Sequence, residues 1–307
     1  MAFQLRRRKP APPPTPPAQM NLERPSAQDI YEQVANNARQ ELGRSGISLF
    51  FSGIAGGIFM GLSGMGNAIA VALLTPAGAT PTAATLFIGK MFYPLGFIAV
   101  ILGRSQLFTE NTLYPVALVL AEKQHFFKTL KLWAIVLGAN ILGAGTFATL
   151  ASFTGALRPE FVSTLSWLGV EAASRPFGTI FWSGVVGGWI IASVAWLVSG
   201  SHSITGSVMI IWMLAFVVGL GGFAHCIAGS GEVLTAVFLG HATPMAFPRW
   251  LLAAVAGNIS GGVGMVTLIE YGQVVYGGDA EAEALPVASG SVSIKIESHQ
   301  PDDESSR

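Results

Sequence analysis

An apolar segment from Val208 to Leu239 is interrupted at Gly221-Gly222-Phe223-Ala224-His225-Cys226-Ile227-Ala228-Gly229-Ser230. That interruption constrains the chain more than any other feature. The segment exceeds the ~20 apolar residues that cross a bilayer as a helix. Its glycines and serine break the helix where hydrocarbon demands continuity. Non-helical backbone at membrane depth persists only where protein or a water-filled cavity covers it. A histidine at such a break is a functional-site candidate, because ionisable groups at that depth are expensive to keep. The rest of the sequence reads as a frame around His225.

Composition fits a membrane setting. Of 307 residues, 51% are hydrophobic and 11% charged, against about 25% charged in soluble domains. Zero net charge leaves no basic footprint for nucleic acid. The single cysteine, Cys226, excludes an intrachain disulfide. No metal-ligand spacing, phosphate-binding loop or redox motif occurs, so no cofactor and no metal are expected.

Residues 1–25 hold the basic cluster Arg6-Arg7-Arg8-Lys9 and a proline run, expected as a disordered tail. No apolar core follows that cluster directly, so it does not read as a cleaved signal peptide. Residues 26–45 read as an amphipathic helix at the membrane surface or under the bundle. Ser26 and Asp29 form an acidic variant of a capping box, and Ile30, Val34 and Ala38 recur at helical spacing. Residues 46–275 are expected as a pore domain of six membrane segments, near 46–68, 84–104, 130–153, 178–199, 207–239 and 248–271. After Ser105-Gln106 the second segment continues as a folded-in loop, Leu107 to Asn111, and a half-helix, Leu113 to Ala121. Phe161 to Val170 reads as a short surface helix. Residues 276–307 turn acidic and polar, a second disordered tail.

Basic residues set the orientation. Arg24, Arg39 and Arg44 before the first span, and Lys123, Lys128 and Lys131 between the second and third, place both termini in the cytoplasm.

The chain also repeats itself. Phe50-Phe51-Ser52-Gly53 with Gly56-Gly57 reappears as Phe181-Trp182-Ser183-Gly184 with Gly187-Gly188, 131 positions on. Asn140-Ile141-Leu142-Gly143 reappears as Asn258-Ile259-Ser260-Gly261, 118 positions on. Between them the Thr109 break answers the His225 break, 116 positions on. Three spans followed by three more give an inverted repeat, with a site at the midplane between two broken helices. The fold class expected is therefore an all-α polytopic membrane protein of aquaporin-like 3+3 plan, with spans two and five broken.

Half-helix N-termini aimed at the midplane favour an anion. His225 adds a donor and a proton that titrates near neutrality, and Thr109 a hydroxyl. A small anion would be held there, and would cross an apolar slit of Leu107, Phe108 and Phe223, taking a proton from His225 if it is the base of a weak acid. Each feature also has a structural reading: a buried imidazole bonded to a carbonyl, a threonine cap, packed phenylalanines. Glu110 and Glu232 suit the positive ends of the half-helices, or else modulate the path by repelling anions or relaying protons. Lys90 stands about 25 Å along the second span from Leu107, as a snorkelling lysine or part of a positive vestibule.

Two other classes fit less well. An aquaporin-type solute channel would carry Asn-Pro-Ala at both breaks, and this chain has neither. Gly61-Leu62-Ser63-Gly64 matches the Gly-x-Ser-Gly of rhomboid-like proteases, but lies within a general run of glycines in the first span. No enzyme is expected. A channel for another small solute, or a membrane scaffold that transports nothing, remains the alternative.

Gly103 followed by Leu107-Phe108-Thr109, the fifth-span Gly222-Phe223-Ala224-His225, and Trp133 with Asn140 resemble the formate/nitrite transporter family over about 40–280. The resemblance implies an aquaporin-like fold, a homopentamer with one pore per protomer, and passage of small monovalent anions such as formate, nitrite or hydrosulfide. It implies a multi-pass protein of a bacterial inner membrane. His225 would be the central pore histidine, Thr109 its partner, and Leu107 and Phe108 part of a constriction. The chain departs from the family pattern at Gln106, Glu110, Gly229, Ala192-Ser193-Val194-Ala195 and Glu232, as a divergent branch would.

Overall fold

The computed structural model describes residues 25–122 and 124–283, so the basic and proline-rich tail, Lys123 and the end of the acidic tail lie outside the described residues. The described chain is all-helical, with six segments long and apolar enough to cross a membrane: Gly46–Leu74, Ala83–Leu102, Phe126–Phe153, Phe177–Ser199, Ile204–Gly221 and Ala246–Gly277.

Helix α1, Ala27–Gly43, starts at the expected capping box. The Asp29 N–H donates to the Ser26 hydroxyl at 3.1 Å, and the Ser26 N–H to the Asp29 carboxylate at 2.8 Å. The Ser26 bonds hold the Asp29 carboxyl below the usual carboxylate range. Val34, Ala35 and Ala38 are buried against α5, Tyr114–Glu122, and α8, Phe177–Ser199, so α1 packs under the bundle.

Helix α2, Gly46–Leu74, runs past the expected end at 68 and stops where Pro76 disfavours a helical Thr75. The second span is not one helix. It divides into α3, Ala83–Lys90, and α4, Pro94–Leu102. Pro94 has no N–H, and its ring would clash with the Lys90 carbonyl in a continuous helix. The Tyr93 N–H takes that carbonyl at 3.1 Å instead. A 3₁₀ turn, Glu110–Thr112, then leads into α5.

Helices α6, Phe126–Phe153, and α8 pair with α2 and α11, Ala246–Ile259, through glycines. Between α6 and α8 lies α7, Pro159–Ser174, longer than the expected surface helix, with one face exposed and the other packed into the bundle. Phe161, Leu165, Leu168 and Gly169 are buried, and a Cβ on Gly169 would stand 2.1 Å from the Glu232 carbonyl oxygen. The fifth span is α9, Ile204–Gly221, a turn with Gly222 at φ +60°, and the half-helix α10, Ala228–Phe238. The sixth continues from α11 as a π-helical stretch, Ser260–Thr267, and then α12, Leu268–Glu283. The last helix thus extends beyond 275, where the sequence shift placed the start of the tail.

The repeat is written in hydrogen bonds. Asn140 Oδ1 accepts the Phe108 N–H at 2.9 Å, while its Nδ2 donates to Gly53 O at 2.7 Å and Gln106 O at 2.8 Å. In the second half Asn258 Oδ1 accepts the Cys226 N–H, and its Nδ2 donates to Gly184 O and Ala224 O, each at 2.8 Å. Ser52 Oγ accepts the Gln106 N–H and Ser183 Oγ the Ala224 N–H. Each break thus has its freed backbone groups paired by an asparagine and a serine, as a break inside a membrane protein requires. These bonds relate the breaks by 118 positions, not 116. The partner of His225 under the repeat is Leu107, so Thr109 and His225 occupy non-equivalent places.

Candidate functional site

The two broken spans converge on one contact. Thr109 Oγ1 lies 2.8 Å from His225 Nε2, both residues almost wholly buried. His225 is also fixed from its other side, where Nδ1 accepts the Ala228 N–H at 3.1 Å, the first N–H of α10. A backbone N–H can only donate, so Nδ1 carries no proton. The neutral ring therefore bears its hydrogen on Nε2 and donates to Thr109 Oγ1. The Thr109 hydroxyl hydrogen is left to donate elsewhere. Charging the ring would put a proton on Nδ1 opposite a second N–H and break the cap on α10.

Part of the N–H groups at the half-helix ends already have acceptors. The Ala228 and Gly229 N–H groups are taken by His225 Nδ1 and O, the Cys226 N–H by Asn258, and the Phe108 N–H by Asn140.

A cavity approaches the contact from each side. The first, about 430 Å³, lies by α7 and ends at His225, with Phe223, Lys90, Arg175 and Glu232 in its walls. The second, about 340 Å³, lies by α1 and ends at Gln106, Glu110 and Asn111, next to Thr109. Arg104, Glu41 and His202 line it further out. Glu110 opens the 3₁₀ turn, as its helix-end reading requires, whereas Glu232 stands a full turn inside α10.

Between the cavities the wall is apolar. Leu107 is fully buried. Phe97 stands edge-on to the His225 ring, centroids 4.9 Å apart. Phe108 lines neither cavity and packs edge-on against Trp133, whose Nε1 donates to Asn111 O at 2.8 Å. Phe223 is half-buried and belongs to the α7-side cavity. The structure therefore brings together His225 and Thr109, places Glu232 and Lys90 in the cavity of the one and Glu110 in the cavity beside the other, and buries Leu107 and Phe108 in one apolar cluster with Phe97.

Several lining residues gave little sign of themselves in the sequence. Phe97 looks like any apolar residue of its span. Arg175 and Glu171 fall in a connection expected to lie outside, yet Arg175 donates to Gly222 O at 3.0 Å and to Glu171 at 2.9 Å. A signal was available in their i,i+4 spacing before Pro176. Arg104 carried another: it follows Gly103 at the end of α4 and adopts φ +56°.

Among described residues, no group of three metal-ligating side chains occurs.

The model of the formate/nitrite transporter family matches residues 28–272. The inner membrane protein YfdC of Escherichia coli (strain K12) is 30% identical over 254 residues, covering 81% of this chain and 79% of that protein. A solved structure described as an FNT family ion channel superimposes with TM-score 0.67 at 18% identity, over 84% of this chain and 99% of that one. A pentameric formate channel with formate bound gives TM-score 0.61 at 20% identity, over 75% and 97%.

Proposed function

Since this chain belongs to the formate/nitrite transporter family, we propose that its two cavities and the Thr109–His225 contact form a path for small monovalent anions of the formate, nitrite or hydrosulfide type. The observation that carries this reading is the contact itself. Two interrupted spans meet at 2.8 Å, with one cavity ending on each side. Lys90 and Arg175 in one cavity, and Arg104 in the other, supply the positive charge that draws an anion in. At the plug the Thr109 hydroxyl, polarised by the imidazole N–H, offers a hydrogen bond to an anion that has shed water. Phe97 and Leu107 make the apolar barrier, with Phe223 at the rim of one cavity. Phe108 backs the barrier from behind.

His225 acts in this reading as a fixed neutral donor. A proton moving with the anion comes from other groups, because protonating the ring costs the Ala228 bond. We assign a homopentamer in a bacterial inner membrane with cytoplasmic termini. The pentameric formate channel supports the first, the inner membrane protein YfdC the second, and the basic residues near α1 the third.

The test is uptake of formate, nitrite and hydrosulfide into liposomes holding the purified protein. His225→Phe keeps the volume and removes both hydrogen bonds, and uptake is expected to fall by at least about tenfold. Uptake of none of the three by the unaltered protein would leave a different solute or a scaffold.

A further inference from the structure

Two carboxyls sit where an anion path should be least tolerant of negative charge. Glu110 is 8% exposed and follows Thr109 directly. Glu232 is 9% exposed and shares the cavity that ends at His225. Neither side chain has a hydrogen bond or ion pair among the described residues, and their oxygens are not among the buried atoms cut off from the cavities.

Their surroundings repeat on the two sides. Facing Glu232 are Lys90 from α3, Tyr93 before α4, Glu171 and Arg175 from α7, and His225. Arg175 is committed to Glu171 and to Gly222 O, which leaves Lys90 as the free cation among the described residues. Facing Glu110 are Arg104 after α4, Glu41 from α1, Tyr114 of α5 and His202 before α9. Glu41 is held by Arg44 at 3.0 Å, which leaves Arg104. Among the described residues, each cavity therefore holds one uncommitted cation and, beside the plug, one uncommitted carboxyl. A proton passes at small cost between two acids of similar strength. The imidazole between them is locked as a neutral donor.

We propose that Glu232 and Glu110 are the proton-exchange groups of the path, a reading that rests on the anion path proposed above. The anion takes a proton from the carboxyl in the cavity it enters. The glutamic O–H bond breaks, an O–H or S–H bond forms on the substrate, and the glutamate recovers a proton from cavity water. The neutral acid crosses the apolar wall past Thr109. It then gives its proton to the carboxylate in the far cavity, which releases it to water. One proton moves with each anion in either direction. The substrates are the conjugate bases of small weak acids, and anions of strong acids such as nitrate are refused.

Formate and nitrate are the probes, in liposomes reporting internal pH. Glu110→Gln and Glu232→Gln are expected to slow formate uptake near neutral pH by at least about tenfold. The loss should shrink toward about pH 4, where formic acid is supplied by the medium. Asp at either position should restore most of the rate. Unchanged uptake in both Gln variants overturns the proposal, as does a loss equal at every pH with no rescue by Asp. Should a Gln variant fail to assemble, the unaltered protein decides, because equal uptake of nitrate and formate overturns neutral crossing. If the unaltered protein takes up neither formate, nitrite nor hydrosulfide, the anion path fails and this proposal with it.

Discussion

Asn140 and Asn258 hold the two breaks with three bonds each, to one backbone N–H and two carbonyls. Leucine at either position keeps the volume and strands all three partners in an apolar interior. An unsatisfied buried group costs about 1–3 kcal/mol, so each variant is expected to lose on the order of 3 kcal/mol or more. Thermal unfolding in detergent measures this, and a fall equal to that of an exposed Asn36→Leu control would contradict it. Thr109 predicts differently. Thr109→Val removes the acceptor of the His225 N–H without altering the asparagine bonds. Only one buried group loses its partner, so melting should fall by less than in the asparagine variants, while formate uptake drops by at least about tenfold and Thr109→Ser restores both. The imidazole was visible in the sequence because an ionisable residue inside an apolar break is too costly to keep without a role. Its tautomer was not, since that depends on where the Ala228 N–H points. The 116-position offset paired Thr109 with His225 correctly as neighbours and wrongly as equivalents, because contact across a pseudo-twofold axis does not require equivalence under it.

At the scale of elements, glycines decide how closely helices approach. A Cβ on Gly57 would stand 2.1 Å from Asn140 O, and one on Gly188 2.3 Å from Asn258 O. Gly57→Ala and Gly188→Ala must therefore push α2 from α6, or α8 from α11, and displace the asparagines that hold the breaks. Both are expected to melt lower and to lose uptake. Gly138→Ala, also within α6, meets nothing within 4 Å. It should be neutral or stabilising by up to about 1 kcal/mol, and a loss there equal to that at Gly57 would remove the close-approach argument. The matched Gly-Gly pairs made the repeat legible, since small residues at helix contacts leave a pattern in sequence. The split of the second span was announced only by Pro94, which membrane helices often tolerate. The π-helical stretch 260–267 left no comparable mark; within it Gly262 comes so close to Thr112 that Oγ1 would lie 2.0 Å from a Cβ there. What α7 packs against is not legible in the sequence, because Phe161, Leu165 and Leu168 mark only which of its faces is apolar.

For the whole molecule, the odd number of spans in each half predicts that the two cavities open to opposite sides of the membrane. The α1 side carries Arg39, Arg44, Arg104, Lys128 and Lys131, and the positive-inside tendency predicts that it faces the cytoplasm. The opposing face has basic residues too, but several are structural. Arg249 caps α7 by donating to Ala173 O at 2.6 Å and Arg175 O at 3.0 Å, and Arg175 donates to Gly222 O at 3.0 Å. Counting charges along the sequence could not separate these from orienting ones. Accessibility can. Cys226 is buried, so a Cys226→Ala background is silent to a membrane-impermeant maleimide and accepts a single reporter cysteine. Lys90→Cys, in the α7-side cavity, should label when the reagent is added outside intact cells. His202→Cys, in the α1-side cavity, should label only in inverted vesicles. The reverse pattern would keep two opposed cavities and overturn the orientation. Labelling of both from one side would mean that no plug separates them, and the Thr109–His225 contact could not then be the barrier an anion has to cross.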